Sequence, residues 1–387
     1  MGSPAAVQRH PPAARFAGWT GFARASLGGF AGQPVSDAVS SGKRFLFVGG
    51  GTGGHLAPAV GLAEALHQRG HRIQFLRSGR PVELDYLDPA WDLQNLAIDR
   101  TRLPKAMALV RASWRVWRCR RRFRPDLVIS VGGMAGAVAL AAWRPRRLVL
   151  LEGNRVAGKA VRWMQPFATA TLTLFSQTEG RLRRPWVMGP VRRRALQAPD
   201  RSEARRRLGL PAQGPILLLM GGSQGAMDLN RFVQACLPDL AERGWAVLAL
   251  TGSGKEGDLA QQAERHGLTA VVRPQLREMG WAYQACDLVF CRGGAATVAE
   301  LCLFRKPAVV VPYPHHKDRQ QERNVEEFQD GILLLKPLDE RDRLQFLKLL
   351  DDDSKRTQMA EALAEKAPAD GLAKALDFLE ALAAGRE

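Results

Sequence analysis

The chain has 387 residues and a formal net charge of +18, from 56 Lys and Arg against 38 Asp and Glu. That length can bury more than one core, and no apolar run approaches the roughly 18–20 residues of a membrane-spanning helix. Five cysteines without a CxxC pair exclude a disulfide scaffold or zinc ribbon and read as buried thiols in a reducing compartment.

Residues 1–42 are rich in Ala, Gly, Pro, Ser and Arg, with Asp37 the sole acid, and have no compact apolar signal core. They read as a disordered leader, with a transit-like segment or a misassigned start as alternatives. From Arg44 onward, short apolar runs predict buried strands at 45–48, 72–76, 127–131 and 148–151. A second series falls at 216–220, 246–250, 270–272, 288–291 and 308–311, with helix-length stretches such as 58–68 and 229–242 between strands. Such alternation predicts an α/β fold of parallel sheets covered by helices on both faces. The pattern restarts near residue 215, after an Arg- and Pro-rich stretch at 181–215. Two doubly wound domains follow, 43–192 and 193–367, with a C-terminal helix at 368–387 that packs back on the first. Ligands in such sheets lie beyond the carboxyl ends of the strands, so the cleft between the domains is the expected site.

Each predicted half opens on a strand, a glycine turn and a helix: "FLFVGGGTGGHLAP" in the first and "ILLLMGGSQGAMDLN" in the second. Two further turns, "ISVGGMAGAVALAAW" and "FCRGGAATVAEL", repeat the form. Glycine lets backbone approach a ligand, and a helix N-terminus offers N–H groups and partial positive charge to phosphate. None is a Walker A or a clean dinucleotide fingerprint, and a tight turn with no ligand is the plain alternative for each. Glu300, just inside the last of these helices, suits a ribose diol or simply the helix dipole. Between the first and third turns, residues 101–124 carry no acid. Arg118, Arg120, Arg121 and Arg122 crowd there beside Trp114 and Trp117, a mixture that fits an anionic membrane surface or a solvated basic face.

"GGTGGH", "GGSQGA", "CRGGAATVAE" and "HKDRQQ", in this order and spacing, resemble the undecaprenyl-diphospho-muramoylpentapeptide β-N-acetylglucosaminyltransferases, the MurG family, from about residue 44 to 335. The resemblance implies a GT-B fold, two Rossmann-like domains around a cleft. It also implies transfer of N-acetylglucosamine from UDP-GlcNAc to lipid I, giving lipid II for peptidoglycan, by a peripheral enzyme on the inner face of the cytoplasmic membrane. Cell-wall synthesis and division proteins are implied partners. By position, Ser223, Gln224 and Gly225 match the diphosphate loop, Glu300 the ribose carboxylate and Leu276 the uracil-reading backbone. Ala295, Ala296 and Thr297 match the helix start beneath the nucleotide, and Gln320 and Gln321 the sugar contacts. Asn154 and Arg192 match further donor contacts; Thr52, Gly53 and Gly54 match a loop that also faces the acceptor diphosphate. The chain departs where the family has "HEQN", "GGYVSGP" and "NPVR": it carries Leu151 to Asn154, Gly132 to Gly136 with Met134, and Gly189. The first two departures lie on the acceptor side.

Moving a sugar off UDP needs a stabilised diphosphate and an activated hydroxyl. The one acidic run, Asp351 to Asp353, reads as a solvated helix start, so glycine loops and helix N-termini, assisted by Arg192, are expected to act without metal or cofactor. His55 is the expected base, with helix capping or phosphate binding as its alternatives and Glu152 as the second candidate base. Attack opposite the leaving group gives inversion. His315 and His316 lack a third ligand nearby and read as loop residues. Another acceptor, or a scaffold that binds UDP-GlcNAc without turnover, are the competing readings; no nucleic-acid motif supports a polynucleotide partner.

Overall fold

In a computed structural model, residues 42–51, 53–98, 104–143, 147–222, 224–315, 318–366 and 371–386 are described. The leader, Thr52, Ser223 and His316 therefore lie outside the described residues, apart from Gly42. The first half carries β1 (Arg44–Val48), β2 (Arg72–Arg77), β3 (Asp92–Asn95), β4 (Leu127–Ser130), β5 (Leu148–Glu152), β6 (Ala170–Thr173) and β7 (Pro185–Val187). The second carries β8 (Ile216–Met220), β9 (Ala246–Leu250), β10 (Ala270–Arg273), β11 (Leu288–Cys291), β12 (Ala308–Val310) and β13 (Ile332–Leu334).

These strands form two parallel sheets, ordered β3-β2-β1-β4-β5-β6-β7 and β10-β9-β8-β11-β12-β13. The chain reverses direction of travel across each sheet between β1 and β4, and again between β8 and β11. β1 pairs with both β2 and β4, and β8 with both β9 and β11. Central strands are buried along their whole length, as parallel strands between helical layers must be. The strands that the apolar pattern misses are β3, β6, β7 and β13. β3 reads DLQN and is half-exposed at an edge; β7 begins with Pro185 at the opposite edge, where a missing N–H costs no ladder bond. β6 is buried but reads ATLT, and β13 has only three residues.

The helices that matter to the site are α1 (Gly53–Gln68), α2 (Lys105–Phe123), α3 (Met227–Ala235), α4 (Met279–Ala285), α5 (Ala295–Phe304), α6 (Gln320–Glu326) and α7 (Gly371–Ala383). One apolar cluster runs through both halves, from Leu56 and Leu62 of α1 to Val298 and Leu301 of α5 and on to Leu376 and Leu379 of α7. α7 lies against the first half, with Phe378 stacked on Trp186 at 4.6 Å and Glu380 on His71 at 2.8 Å. α2 buries Ala108, Ala112, Val116 and Cys119 along one stripe and ends at Arg124 in the left-handed conformation.

Candidate active site

All four glycine turns fall at the two points where strand order reverses, which is where open α/β sheets bind ligands. In the first turn, Gly49 and Gly51 have φ of +141° and +123°. A Cβ on Gly50 would stand 2.2 Å from Glu83 Oε1. Glu83 is wholly buried and accepts from the backbone N–H of Gly51 at 2.8 Å, Ser78 at 3.2 Å, Gly79 at 2.9 Å and Arg80 at 3.1 Å, and from the Ser78 hydroxyl at 2.5 Å. A protein carboxylate thus takes one of the loop amides that sequence reasoning assigned to phosphate. The first-turn amides of α1, from Gly53 to His55, carry the anion-attracting end of that helix, whose first turn holds no acid.

His55 is the third residue of α1, and its Cδ2 lies 3.5 Å from where a Cβ on Gly132 would be. Gly132 and Gly133 have φ of +82° and +65°, a backbone that glycine adopts without strain, so the turn after β4 passes beside the ring. Burial first, and the Arg80 charge second, hold His55 below its ordinary pKa of 6.5. The imidazole is neutral at physiological pH and can accept a proton.

Glu152 ends β5 and is 2 % exposed. Its Oε1 accepts from Asn154 N at 2.8 Å and Asn154 Nδ2 at 3.1 Å, and its Oε2 from Gly158 N at 2.7 Å. Burial raises its pKa against these backbone bonds. Such a carboxylate holds the 152–158 loop in shape. Leu151 is in the core, 2 % exposed. Met134 is 52 % exposed beside the third turn.

In the second half, Gly225 has φ +67° and a Cβ there would stand 2.0 Å from the Thr251 carbonyl oxygen. Lys255 donates to the Gln224 carbonyl at 2.7 Å and the Gly225 carbonyl at 3.2 Å, so a cation sits against this loop ahead of α3. Arg292, from the fourth turn, pairs with Asp228 of α3 at 2.6 Å and ties the second and fourth turns together. α5 starts at Ala295, placing Ala296 and Thr297 in its first turn. A Cβ on Gly293 would stand 2.5 Å from the Gln321 carbonyl oxygen, which fixes the start of α6 beside this turn. Gln320 opens α6, and Gln321 Oε1 accepts from Tyr313 N at 2.8 Å. Leu276 packs half-buried after β10.

The halves meet at this level. Asn324 of α6 donates to the Gly293 carbonyl at 3.1 Å and to Asn154 Oδ1 at 3.4 Å, and accepts from Arg155 N at 3.0 Å. Arg155 pairs with Glu326 at 2.8 Å and Arg323 with Glu179 at 3.1 Å. A cavity of about 140 Å³ along the seam, lined by Leu174, Phe175, Ala299, Cys302 and Phe328 among others, includes none of the expected site residues. The expected Arg192 is exposed and lies 5.9 Å over the Phe304 ring. Its neighbour Arg193 is the buried one, with Nη2 2.9 Å from Glu300 Oε1, while Tyr283 donates to Glu300 Oε2 at 2.9 Å. Sequence reasoning passed over Arg193, Tyr283, Glu83 and Lys255. The Arg192 to Arg194 run was the one available signal, and it does not say which arginine turns inward.

Among the described residues no cluster of three His, Cys, Asp or Glu is arranged to hold a metal ion. Asp352 caps a helix by accepting from Lys355 N at 2.7 Å, and Asp351 pairs with Arg243 at 2.8 Å. On α2, Met107, Val110, Trp114 and Trp117 are exposed, with Arg118 5.5 Å over the Trp114 ring and Arg121 4.6 Å over the Trp117 ring. Trp143, Trp163 and Phe167 form a second exposed aromatic group on the same half. Among the described residues no helix is long and apolar enough to cross a membrane.

Two parallel doubly wound sheets with glycine turns at both reversal points make up a GT-B architecture, and two glycosyltransferase family models match along it. The description "Glycosyltransferase family 28 N-terminal domain" matches residues 45–173, and "Glycosyltransferase family 28 C-terminal domain" matches residues 216–379. A Marinobacter nauticus protein is 34 % identical, with 87 % of this chain and 96 % of that protein covered; one from Chromohalobacter salexigens is 37 % identical, with 74 % and 82 % covered. Both are named UDP-N-acetylglucosamine--N-acetylmuramyl-(pentapeptide) pyrophosphoryl-undecaprenol N-acetylglucosamine transferase, and this chain belongs to that family. The crystal structure of Acinetobacter baumannii MurG has the same fold, with a TM-score of 0.67 at 23 % identity over 87 % of this chain and 99 % of that one.

Proposed function

We propose that this protein transfers N-acetylglucosamine from UDP-GlcNAc to lipid I, giving lipid II for peptidoglycan, at the inner face of the cytoplasmic membrane. The observation that carries the reading is the pair of glycine turns at the strand-order reversal of each sheet, with His55 beside the third turn. Membership of the family supplies the substrates.

In this reading the uridine ribose meets Glu300, the uracil meets the backbone at Leu276, and the diphosphate lies against Gln224, Gly225 and the N-termini of α3 and α5. Ser223 belongs to the same loop. Preorganised amides and helix ends, with Lys255 behind them, stabilise the leaving diphosphate. The sugar lies toward Gln320, Gln321 and Asn154, and the acceptor diphosphate toward Thr52, Gly53 and Gly54. Neutral His55 takes the proton from the acceptor hydroxyl as it attacks opposite the diphosphate, inverting the anomeric centre. Glu152, its lone pairs committed to the loop, is given no proton to carry, and Arg192 is left to the outer edge of the donor site. The exposed apolar and arginine groups of α2 dock on anionic lipid, which the lipid-linked acceptor requires.

Transfer of label from UDP-GlcNAc to a short-chain lipid I analogue, with and without chelator, tests this. Turnover that survives chelation is expected; UDP release only with added magnesium overturns the metal-independent mechanism. Exposed Met134, where the family usually carries Tyr, favours a second reading in which the acceptor differs. Faster UDP release with another lipid-linked or small acceptor than with the lipid I analogue would establish it.

A further inference from the structure

Glu300 is only 8 % exposed and is gripped from two directions. Tyr283, fully buried, donates to Oε2 from α4 at 2.9 Å. Burial first, and the Glu300 charge second, hold the Tyr283 phenol well above the usual tyrosine range, so it stays a donor at any working pH. Arg193 donates Nη2 to Oε1 at 2.9 Å from the connection that follows the first half. Arg193 is itself 8 % exposed, and its guanidinium lies 5.5 Å over the ring of Tyr86. The Tyr86 hydroxyl in turn occupies the space a Cβ on Gly53 would need, at 2.3 Å. Two side chains, Arg193 and Tyr86, therefore connect the start of α1 with the carboxylate on α5.

An ionised carboxylate offers about four acceptor positions. One donor on each oxygen leaves one position on each, which is what a vicinal diol requires. Two donors arriving from different elements also stop the carboxylate from rotating. We propose that Arg193 is a positioning residue for nucleotide recognition: its guanidinium fixes the Glu300 carboxylate so that both remaining acceptor positions meet the cis-diol of a uridine diphosphate. This rests on the ribose role given to Glu300 above. Removing Arg193 leaves Glu300 held by Tyr283 alone, able to turn and to lose the two-point match.

The test compares dissociation constants of UDP and 2′,3′-dideoxy-UDP, by calorimetry or displacement, in the full chain and in its Arg193→Gln and Arg193→Lys variants. The unsubstituted protein is expected to prefer UDP by at least ~10-fold, the effect of losing hydrogen bonds to a charged partner. In Arg193→Gln that preference falls to about twofold through weaker UDP binding, while affinity for the dideoxy ligand, which doubles as the check of folding, is kept. Arg193→Lys, which retains a charged donor, restores part of the preference. A preference unchanged or sharpened in Arg193→Gln, or equal loss of both affinities in both variants, overturns the positioning role and leaves the ribose reading standing. Equal affinity for the two ligands in the unsubstituted protein removes the ribose role of Glu300 and this proposal with it.

Discussion

The first and second glycine turns look alike in sequence but are anchored in opposite ways. The first is held from beneath by an anion: buried Glu83 takes the Gly51 N–H along with those of Ser78, Gly79 and Arg80. The second is held by a cation, Lys255, which takes the carbonyls of Gln224 and Gly225. Tying a loop by its amides commits donors that a phosphate would otherwise use, and serves to fix what the loop carries, here His55. Tying it by its carbonyls adds positive charge where a diphosphate is proposed to sit. The same strand–turn–helix unit is thus tied through an amide to a carboxylate in one half and through carbonyls to a lysine in the other.

The sharpest test of this contrast is at the mounted group. His55→Ala should cut kcat by roughly 10²–10⁴-fold, the usual contribution of a positioned base, with the KM for UDP-GlcNAc little changed. Near-full turnover would remove its role. Because burial lowers the His55 pKa, activity in the unsubstituted protein should fall only as pH drops below about 6.5, the ordinary imidazole value, as the base becomes protonated. An acid limb centred above that value would point to another group.

Next in size is a matched pair at the two anchors. Glu83→Gln turns an acceptor of several backbone N–H groups into a partial donor, and should lower stability by about 2–3 kcal/mol in urea titrations. It should raise the acceptor KM more than the donor KM. Gly225→Ala, facing the Thr251 carbonyl at 2.0 Å, should raise the donor KM and leave the acceptor KM nearly alone. Gly222→Ala, with φ +82° and open space around its Cβ, should show only the cost of the left-handed backbone, about 1 kcal/mol. If both anchors altered the same KM, the division of labour would collapse.

The smallest effects are at the proposed membrane face. Arg118→Gln and Arg121→Gln remove the cations stacked on Trp114 and Trp117 and should each weaken binding to anionic vesicles by ~5-fold at low salt. Unchanged partitioning in a flotation assay would argue that this face is merely solvated.

Much of this was legible along the chain. The central strands announced themselves as apolar runs because parallel strands are buried on both faces, and the glycine turns because positive φ and close approach leave little choice of residue. Edge strands β3 and β7 were not, since half-exposed polar residues and a proline carry no apolar signal. The glycines could be read as phosphate-facing, but not that Gly51 already spends its N–H on a carboxylate thirty-two positions away. Glu152 could be named as a second candidate base, but not that the 152–158 loop folds its amides onto that carboxylate.

What the sequence determined by itself is everything set by local period and backbone freedom: two α/β halves and the turns between strand and helix. Which arginine of the 192–194 run faces inward, which carboxylates hold loops and which one takes a tyrosine and an arginine, was decided only by tertiary structure. Those choices depend on what the other half brings to the seam, and a hydrogen bond between residues a hundred positions apart, such as Arg193 to Glu300, leaves no periodicity in the chain to find.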